Sequence, residues 1–115
     1  MRPKRAVHLA EAKKLLDELR AGTRLPLMKI DAIGVHLRDG HLSVIDIGTT
    51  REEMRYLWRN GCIATAHRFL DDMRAGCGSR EFSIVQLQEC LRLGGLNLID
   101  IGISREELES LTHRL

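Results

Sequence analysis

The chain has few aromatic side chains, no long apolar run and almost no net charge. Its 115 residues include two phenylalanines, one tyrosine and one tryptophan, so we expect no platform that stacks nucleic-acid bases on aromatic rings. No apolar run approaches the roughly 20 residues that cross a bilayer, which predicts no membrane span and no membrane partner. The basic start, Met1–Arg5, is not followed by a continuous apolar segment, so we expect no secretory signal.

Neither sign of charge dominates, and the cysteines form no recognisable framework. The 18 basic and 16 acidic side chains give a net charge of +2, too little for a dedicated nucleic-acid binder. Residues 1–61 carry 12 basic and 8 acidic side chains, whereas residues 62–115 carry 6 and 8. Cys62, Cys77 and Cys90 are odd in number and lack CxxC spacing, which predicts free thiols in a reducing cytoplasm rather than disulfides or a zinc knuckle.

The strongest signal in the sequence is an internal repeat. When residues 8–61 are placed over residues 62–115 without a gap, 20 of the 54 pairs are identical. The longest shared run, Ile-Asp-Ile-Gly, occupies 45–48 and 99–102. A unit of this size is marginally stable alone. We therefore predict a tandem duplication that forms one compact domain over residues 1–115, with the two copies packed pseudo-symmetrically around one core.

Both copies favour an all-α fold. Gly22 and Gly76 lie where a left-handed helix C-cap belongs, and Gly40 and Gly94 close the next predicted helix of each copy. The alternative is an α+β fold with a hairpin around Asp39-Gly40, because β-branched residues flank this pair. Apolar residues at helical spacing occur at matched positions of the two copies: Leu15, Leu16, Leu19, Ile30, Ile33 and Leu37, then Phe69, Leu70, Met73, Ile84, Leu87 and Leu91.

A third element of each copy combines a short helical turn with a helix start. Asp46 and Asp100 each lie three residues after a capping residue, which predicts one helical turn. Four residues are predicted to be structural caps around these turns, two glycines with positive φ and two hydroxyl residues that begin the last helices: Gly48, Gly102, Thr50 and Ser104. Six identical apolar residues of this region are expected in the shared core: Ile45, Ile47, Leu57, Ile99, Ile101 and Leu111.

The sequence contains no convincing catalytic or metal-binding pattern. The glycine-rich segment 76–79 follows a predicted helix and lacks the lysine of a phosphate-binding loop, so it is interpreted as a helix–helix turn. Cys62 and His67 are five residues apart, a poor spacing for two ligands on one helix face. Capping explains the symmetric pair Asp46 and Asp100. We therefore expect no enzyme, no cofactor and no metal ion.

The segment 102–108, Gly-Ile-Ser-Arg-Glu-Glu-Leu, resembles the turn and recognition-helix start of helix-turn-helix proteins, as does 48–54. That resemblance implies a DNA-binding transcription regulator, which we keep as the alternative function, with Arg51, Arg55 and Arg59 as phosphate contacts. The preceding turn is short and the second copy is acidic, so nucleic acid is the weaker partner hypothesis. The same turn is also similar to the end of small arginine-rich bacterial proteins of unknown function, a likeness of about 16 residues per copy.

Differences between the copies predict an interaction surface. Tyr56 and Trp58 replace Ser110 and Thr112, which are polar in the other copy. The alternatives are burial of Trp58 within the monomer and an ordinary solvated face around Tyr56. We favour a non-enzymatic helical module of a bacterial cytoplasm, which binds a protein partner or self-associates as a homodimer. Its candidate surface comprises Arg51, Arg55, Tyr56, Trp58 and Arg59.

Overall fold

The computed structural model describes residues 2–112, and in this range the chain consists of helices joined by short connections, with no strand. The predicted all-α class is confirmed, and the last three residues of the predicted second repeat lie outside the described residues. No helix in residues 2–112 has the length and hydrophobicity that a bilayer span requires. The elements are α1 (Arg2–Ala21), α2 (Pro26–Asp39), a first 3₁₀ turn (Val44–Ile47), α3 (Arg51–Ala75), α4 (Arg80–Gly94), a second 3₁₀ turn (Leu98–Ile101) and α5 (Arg105–Thr112).

The alternative hairpin around Asp39-Gly40 is wrong, because this pair ends a helix. Pro26 begins α2 at the position where its missing N–H costs nothing. Gly40 has φ −90° and donates its N–H to the carbonyl of His36 at 2.9 Å. A hairpin glycine at such a turn would have positive φ. The apolar stripe buries Ile33 completely on the inner face of α2, so helical packing outweighs the strand preference of the β-branched residues.

The chain divides into two compact units, Met1–Trp58 and Arg59–Leu115, which we call unit 1 and unit 2. The division falls within α3, three residues before the start of the predicted second repeat. The same offset of 54 residues relates the elements of the two units. We describe each unit by itself.

Unit 1 packs α1 against α2, with the first 3₁₀ turn alongside α1. Its core cluster comprises Ala12, Leu16, Leu19, Ile33 and Ile47. Burying side chains of this kind is the main stabilising term in a domain of this size. Half-buried apolar side chains surround this cluster: Leu9, Leu15, Ile30, Leu37, Met54 and Leu57.

Unit 2 is built from the remainder of α3, α4, the second 3₁₀ turn and α5. Phe69 on α3 meets Phe82 on α4 edge to face, with ring centroids 6.0 Å apart. Its buried positions repeat those of unit 1, since Ala66 and Leu70 follow Ala12 and Leu16 by 54 residues. The buried apolar residues of unit 2 are Cys62, Ala66, Phe69, Leu70, Met73, Leu87, Cys90, Leu96, Ile101, Ile103 and Leu111.

The prediction that Ile45 and Ile99 belong to a core is wrong. Their exposed fractions are 77% and 86%, whereas Ile47 and Ile101 are each only 3% exposed. The reason is geometric, because a 3₁₀ turn has three residues per turn. Residues two positions apart therefore point in different directions, and only the later isoleucine of each pair points inward.

The second helix of each unit ends differently. The sequence predicts that Gly94 closes α4, but Gly94 is the last helical residue and Gly95 is the cap, with φ 60°. In unit 1 the position matched to Gly95 holds His41, which has φ 53° and is the only non-glycine residue with positive φ among the described residues. A side chain in this left-handed region is strained, because its Cβ approaches the following carbonyl.

Candidate interaction surface

The N-terminus of α3 is held against α1 by a charged cluster. Arg20 at the end of α1 donates to both carboxylate oxygens of Glu53, at 2.9 and 2.6 Å, and to the carbonyl of Gly48 at 3.0 Å. Thr50 accepts the backbone N–H of Glu53 at 3.0 Å, and the Thr49 hydroxyl donates to the Glu53 carboxylate. Thr50 therefore caps α3, but the Glu53 side chain binds Arg20 rather than the backbone N–H of Thr50.

This cluster keeps Glu53 ionised. Hydrogen bonds from Arg20, and secondly from Thr49, lower the pKa of Glu53 to about 2. The carboxylate therefore stays charged at any physiological pH, and its charge is already matched by Arg20. The cluster fixes the start of α3 and leaves the outward side chains of the next two turns to solvent.

Unit 2 repeats this arrangement. Ser104 caps α5 by accepting the N–H of Glu107 at 3.0 Å. The Glu107 carboxylate accepts from Arg74 at the end of α3, with a distance of 2.8 Å. Gly48 and Gly102 precede the two caps with φ 84° and 72°, the positive values that the helix–glycine–helix interpretation requires.

Three of the five predicted surface residues are exposed on the first turns of α3. Arg51 and Arg55 are exposed, and neither forms an ion pair with another described residue. Tyr56 is 65% exposed, a high value for a large amphipathic ring. We call Arg51, Arg55 and Tyr56 the α3 surface. It presents an aromatic ring and two cations that have no ion-pair partner in the described part of the chain.

The structure separates the other two predicted residues from this group. Trp58 is half-buried, so part of its ring is packed within the protein. Arg59 binds Asp100 at 3.1 Å within unit 2. Its counterpart 54 residues earlier, Arg5, is 3.9 Å from the matched Asp46 within unit 1. Arg59 thus takes part in an internal ion pair that recurs in both units.

The matched helix of unit 2 presents a different face. On α5, the positions that correspond to Arg55 and Tyr56 hold Glu109 and Ser110, both exposed. Only Arg105 repeats the basic character of Arg51. The contrast is between a basic, aromatic face in unit 1 and a mixed polar face in unit 2.

Asp46 and Asp100 have a structural role in the two 3₁₀ turns. Within the described part of the chain, no three His, Cys, Asp or Glu side chains lie close enough to hold a metal ion together. Asp46 and Asp100 each accept a backbone N–H at 2.8 Å, from Ser43 and Asn97, and complete capping boxes at the two 3₁₀ turns. The bond from Ser43 lowers the pKa of Asp46.

Two sets of contacts were not predicted from the sequence. Arg20 and Arg74 bind glutamates 33 residues away, and the two histidines of α1 and α2 lie in contact. The identity of Arg20 with Arg74 in the repeat was the available signal for the first set.

Comparison with protein-family models, with curated proteins and with solved structures finds no match to this chain.

Proposed function

We propose that the chain is a non-enzymatic helical module that binds an acidic surface of a protein partner, or of a second copy, through the α3 surface. The observation that carries the proposal is Tyr56, a ring 65% exposed that follows Arg51 and Arg55 on α3, two arginines with no ion-pair partner among residues 2–112. The guanidinium groups of Arg51 and Arg55 match the planar geometry of carboxylates, so they favour an acidic facing surface.

The residue types of the α3 surface are those that anchor protein interfaces. Tyrosine and arginine are enriched among residues that dominate binding free energy, because they bury a large area at modest entropic cost. Arg51 and Arg55 are four residues apart along α3, so their guanidinium groups occupy successive turns of one face. Glu53 does not neutralise them, because its carboxylate is bound by Arg20.

The alternative of DNA binding has a weaker geometric basis. A helix-turn-helix needs a full helix before the recognition helix, whereas the element before α3 is a four-residue 3₁₀ turn. Of the three arginines that would contact phosphates, Arg59 is bound to Asp100. A protein partner therefore fits the α3 surface better, and DNA binding becomes one outcome of the test.

We also propose that the two units arose by tandem duplication and that the protein works in a bacterial cytoplasm. The repeated ion pair and the repeated caps support duplication, because they recur at an offset of 54 residues without a gap. All three cysteines are free thiols, which suits a reducing compartment.

The direct test places a photo-crosslinking amino acid at position 56 of the full chain in living bacterial cells. The proposal predicts a crosslink to a protein, either a second copy or a different chain, and no equivalent product from the matched position 110. Replacing Arg51 and Arg55 by alanine should weaken binding roughly 5- to 30-fold. Because both side chains are exposed, the free energy of unfolding should change by less than about 0.5 kcal/mol.

Two results would overturn the proposal. One is equal crosslinking from positions 56 and 110, which would make the α3 surface an ordinary solvated face. The other is binding to duplex DNA that depends on Arg51 and Arg55 and falls steeply with salt, which would indicate phosphate contacts instead.

A further inference from the structure

A cavity lies in unit 1 where the first turns of α1 pass beside the end of α2, and we call it the α1–α2 cavity. Its volume is about 590 Å³, within the range of roughly 300–1,000 Å³ that small-molecule sites occupy in proteins. Residues between 4 and 9 line one side and residues 39–41 line the other. Unit 1 alone therefore forms this cavity, and the packing of α2 on α1 sets its width.

A buried glycine lets the end of α2 approach α1 closely beside this cavity. A Cβ atom added to Gly40 would lie 2.9 Å from the Cβ of His8 and 3.0 Å from the carbonyl oxygen of His36. The same backbone approach recurs in unit 2, because a Cβ added to Gly94 would lie 2.8 Å from that of Cys62. Both units thus have a close crossing of their first two helices.

The α1 side of the cavity provides apolar surface. Leu9 is half-buried against the core of unit 1, and Ala6 is exposed. The methylene stems of Lys4 and Arg5 add further apolar surface behind their charged ends. A ligand in this cavity therefore removes hydrocarbon from water, which favours a ligand with an apolar body.

The charged groups at the cavity leave a surplus of one cation. The Arg5 guanidinium lies 3.9 Å from the Asp46 carboxylate. Asp39, which also lines the cavity, lies 3.3 Å from the guanidinium of Arg38. Lys4 lines the cavity and has no ion-pair partner in the described part of the chain. Apart from the histidine, three basic and two acidic side chains therefore leave one positive charge, which matches a ligand with one negative charge.

His41 adds a hydrogen-bond donor and has an unusual backbone conformation. Its φ of 53° lies in the left-handed region, which is costly for a residue with a side chain. Residues strained in this way are concentrated at ligand sites, where the surrounding structure imposes the conformation. A neutral imidazole has one N–H in either tautomer, so His41 can donate to an anion that enters the cavity.

Unit 2 repeats the backbone crossing but not these polar groups. The three polar side chains that distinguish the cavity have apolar or missing counterparts 54 residues later: Lys4, Asp39 and His41 correspond to Trp58, Leu93 and Gly95. Since the crossing recurs without these groups, the packing of the two helices does not account for them. A ligand of unit 1 does account for them.

We propose that the α1–α2 cavity binds a small organic monocarboxylate with an apolar body. Lys4 binds the carboxylate, His41 is a second donor, and the hydrocarbon lies against Leu9. A doubly charged phosphate would fit less well, because it exceeds the single surplus cation and meets the carboxylate of Asp39. The proposal is independent of the α3 surface, because α1 and the end of α2 supply the groups that it uses.

The test measures binding of octanoate to the full chain by NMR chemical-shift changes of the backbone amides. Acetate has the same charge without the hydrocarbon, and 1-octanol has the hydrocarbon without the charge. We expect saturable shifts centred on residues 4–9 and 39–41, with a Kd for octanoate of about 1 mM or tighter. Acetate should give no saturable shifts, and 1-octanol should bind at least about 3-fold more weakly than octanoate.

Three results of these titrations would overturn the proposal. Equal affinity for octanoate and 1-octanol would mean that the cavity does not recognise the charge. Shifts centred outside residues 4–9 and 39–41 would place the ligand elsewhere. Displacement of octanoate by an equal concentration of inorganic phosphate would mean that the site selects a phosphate instead.

Matched lysine variants test the charge at the cavity. K4M keeps an apolar stem and removes the ammonium group, so it should weaken octanoate binding about 3- to 10-fold and leave 1-octanol binding unchanged. K13M is the control, because Lys13 is exposed nine residues further along α1, on the opposite side of the helix. Equal effects of K4M and K13M would show a response to net charge alone and would contradict the proposal.

Two further variants test the other sides of the cavity. A6E places a carboxylate in its wall and should abolish octanoate binding, and the fold should persist because Ala6 is exposed. H41G removes the donor together with the strained conformation, so octanoate binding should weaken about 2- to 5-fold although the free energy of unfolding does not fall. Wild-type affinity for octanoate in both variants would overturn the proposal.

Discussion

Units 1 and 2 share a backbone crossing and differ in the side chains that fill it. Gly40 and Gly94 bring the second helix against the first at the same position in both units, while the adjoining pair is two histidines in one and two cysteines in the other. Imidazole and thiol differ in size, polarity and charge. The close backbone approach is therefore common to both units, whereas the chemistry of the side chains beside it differs.

The outward faces of the two units differ independently of their crossings. The caps and the arginine–glutamate bonds at the starts of α3 and α5 are alike, yet Tyr56 faces solvent in unit 1 where unit 2 has Ser110. The side chains that bond internally are thus repeated, whereas those exposed one or two turns later are not. Surface properties can therefore differ between the units without loss of the internal contacts.

The largest expected effect tests whether the two cores are energetically equivalent. Leu16 and Leu70 are matched and are 1% and 0% exposed, so L16A and L70A should each lower the free energy of unfolding by about 2–5 kcal/mol through lost burial and a cavity. Denaturant unfolding of each variant measures this. V7A, at a position 57% exposed, is the control and should cost less than about 0.5 kcal/mol. If either variant lowers the free energy of unfolding by less than about 1 kcal/mol, the two cores do not contribute equally to stability.

An intermediate effect tests the backbone approach itself. G40A and G94A should each cost about 1–3 kcal/mol, since the added methyl group meets the Cβ of His8 or Cys62 and the helices must shift. Gly34 in α2 has open space around its Cα, so G34A should instead stabilise by about 0.5–1 kcal/mol through helix propensity. Thermal unfolding of the three variants distinguishes these signs. Stabilisation by G94A would show that the crossing tolerates a side chain.

The smallest expected effect tests the residue in the left-handed region after the second helix of each unit. Because His41 occupies the left-handed region that Gly95 occupies in unit 2, H41G should raise the free energy of unfolding by about 1 kcal/mol or less. The reciprocal G95H should lower it by a comparable amount. Equilibrium unfolding at neutral pH measures both changes, and a loss of stability in H41G would mean that the histidine side chain contributes more than its strain costs.

The elements predicted from the sequence are those that depend on nearby residues. The stripe of Ile30, Ile33 and Leu37 specified α2 despite its β-branched neighbours, and the positive φ of Gly48 and Gly102 followed from their place between a turn and a cap. Such signals lie within one or two helical turns, so residue spacing alone reveals them.

The contacts that sequence reasoning missed join distant residues. Arg20 binds Glu53 across 33 positions and His8 meets His36 across 28 positions, and spacing along one chain carries no information on such pairs. The exposed Ile45 shows a different limit of sequence reasoning. Identity between the copies predicts burial at this position, although identical residues can equally share an exposed position.

The capping boxes at the two 3₁₀ turns have a consequence for the order of folding. Ser43 bonds Asp46, and Asn97 bonds Asp100, across only three residues, so each turn closes without bringing distant parts of the chain together. Closing a loop of ten residues takes about 10–100 ns, far less than docking two helices, and these loops are shorter still. The two turns can therefore form as independent seeds at separate points of the chain, each fixing the bend between two helices before those helices find their partners.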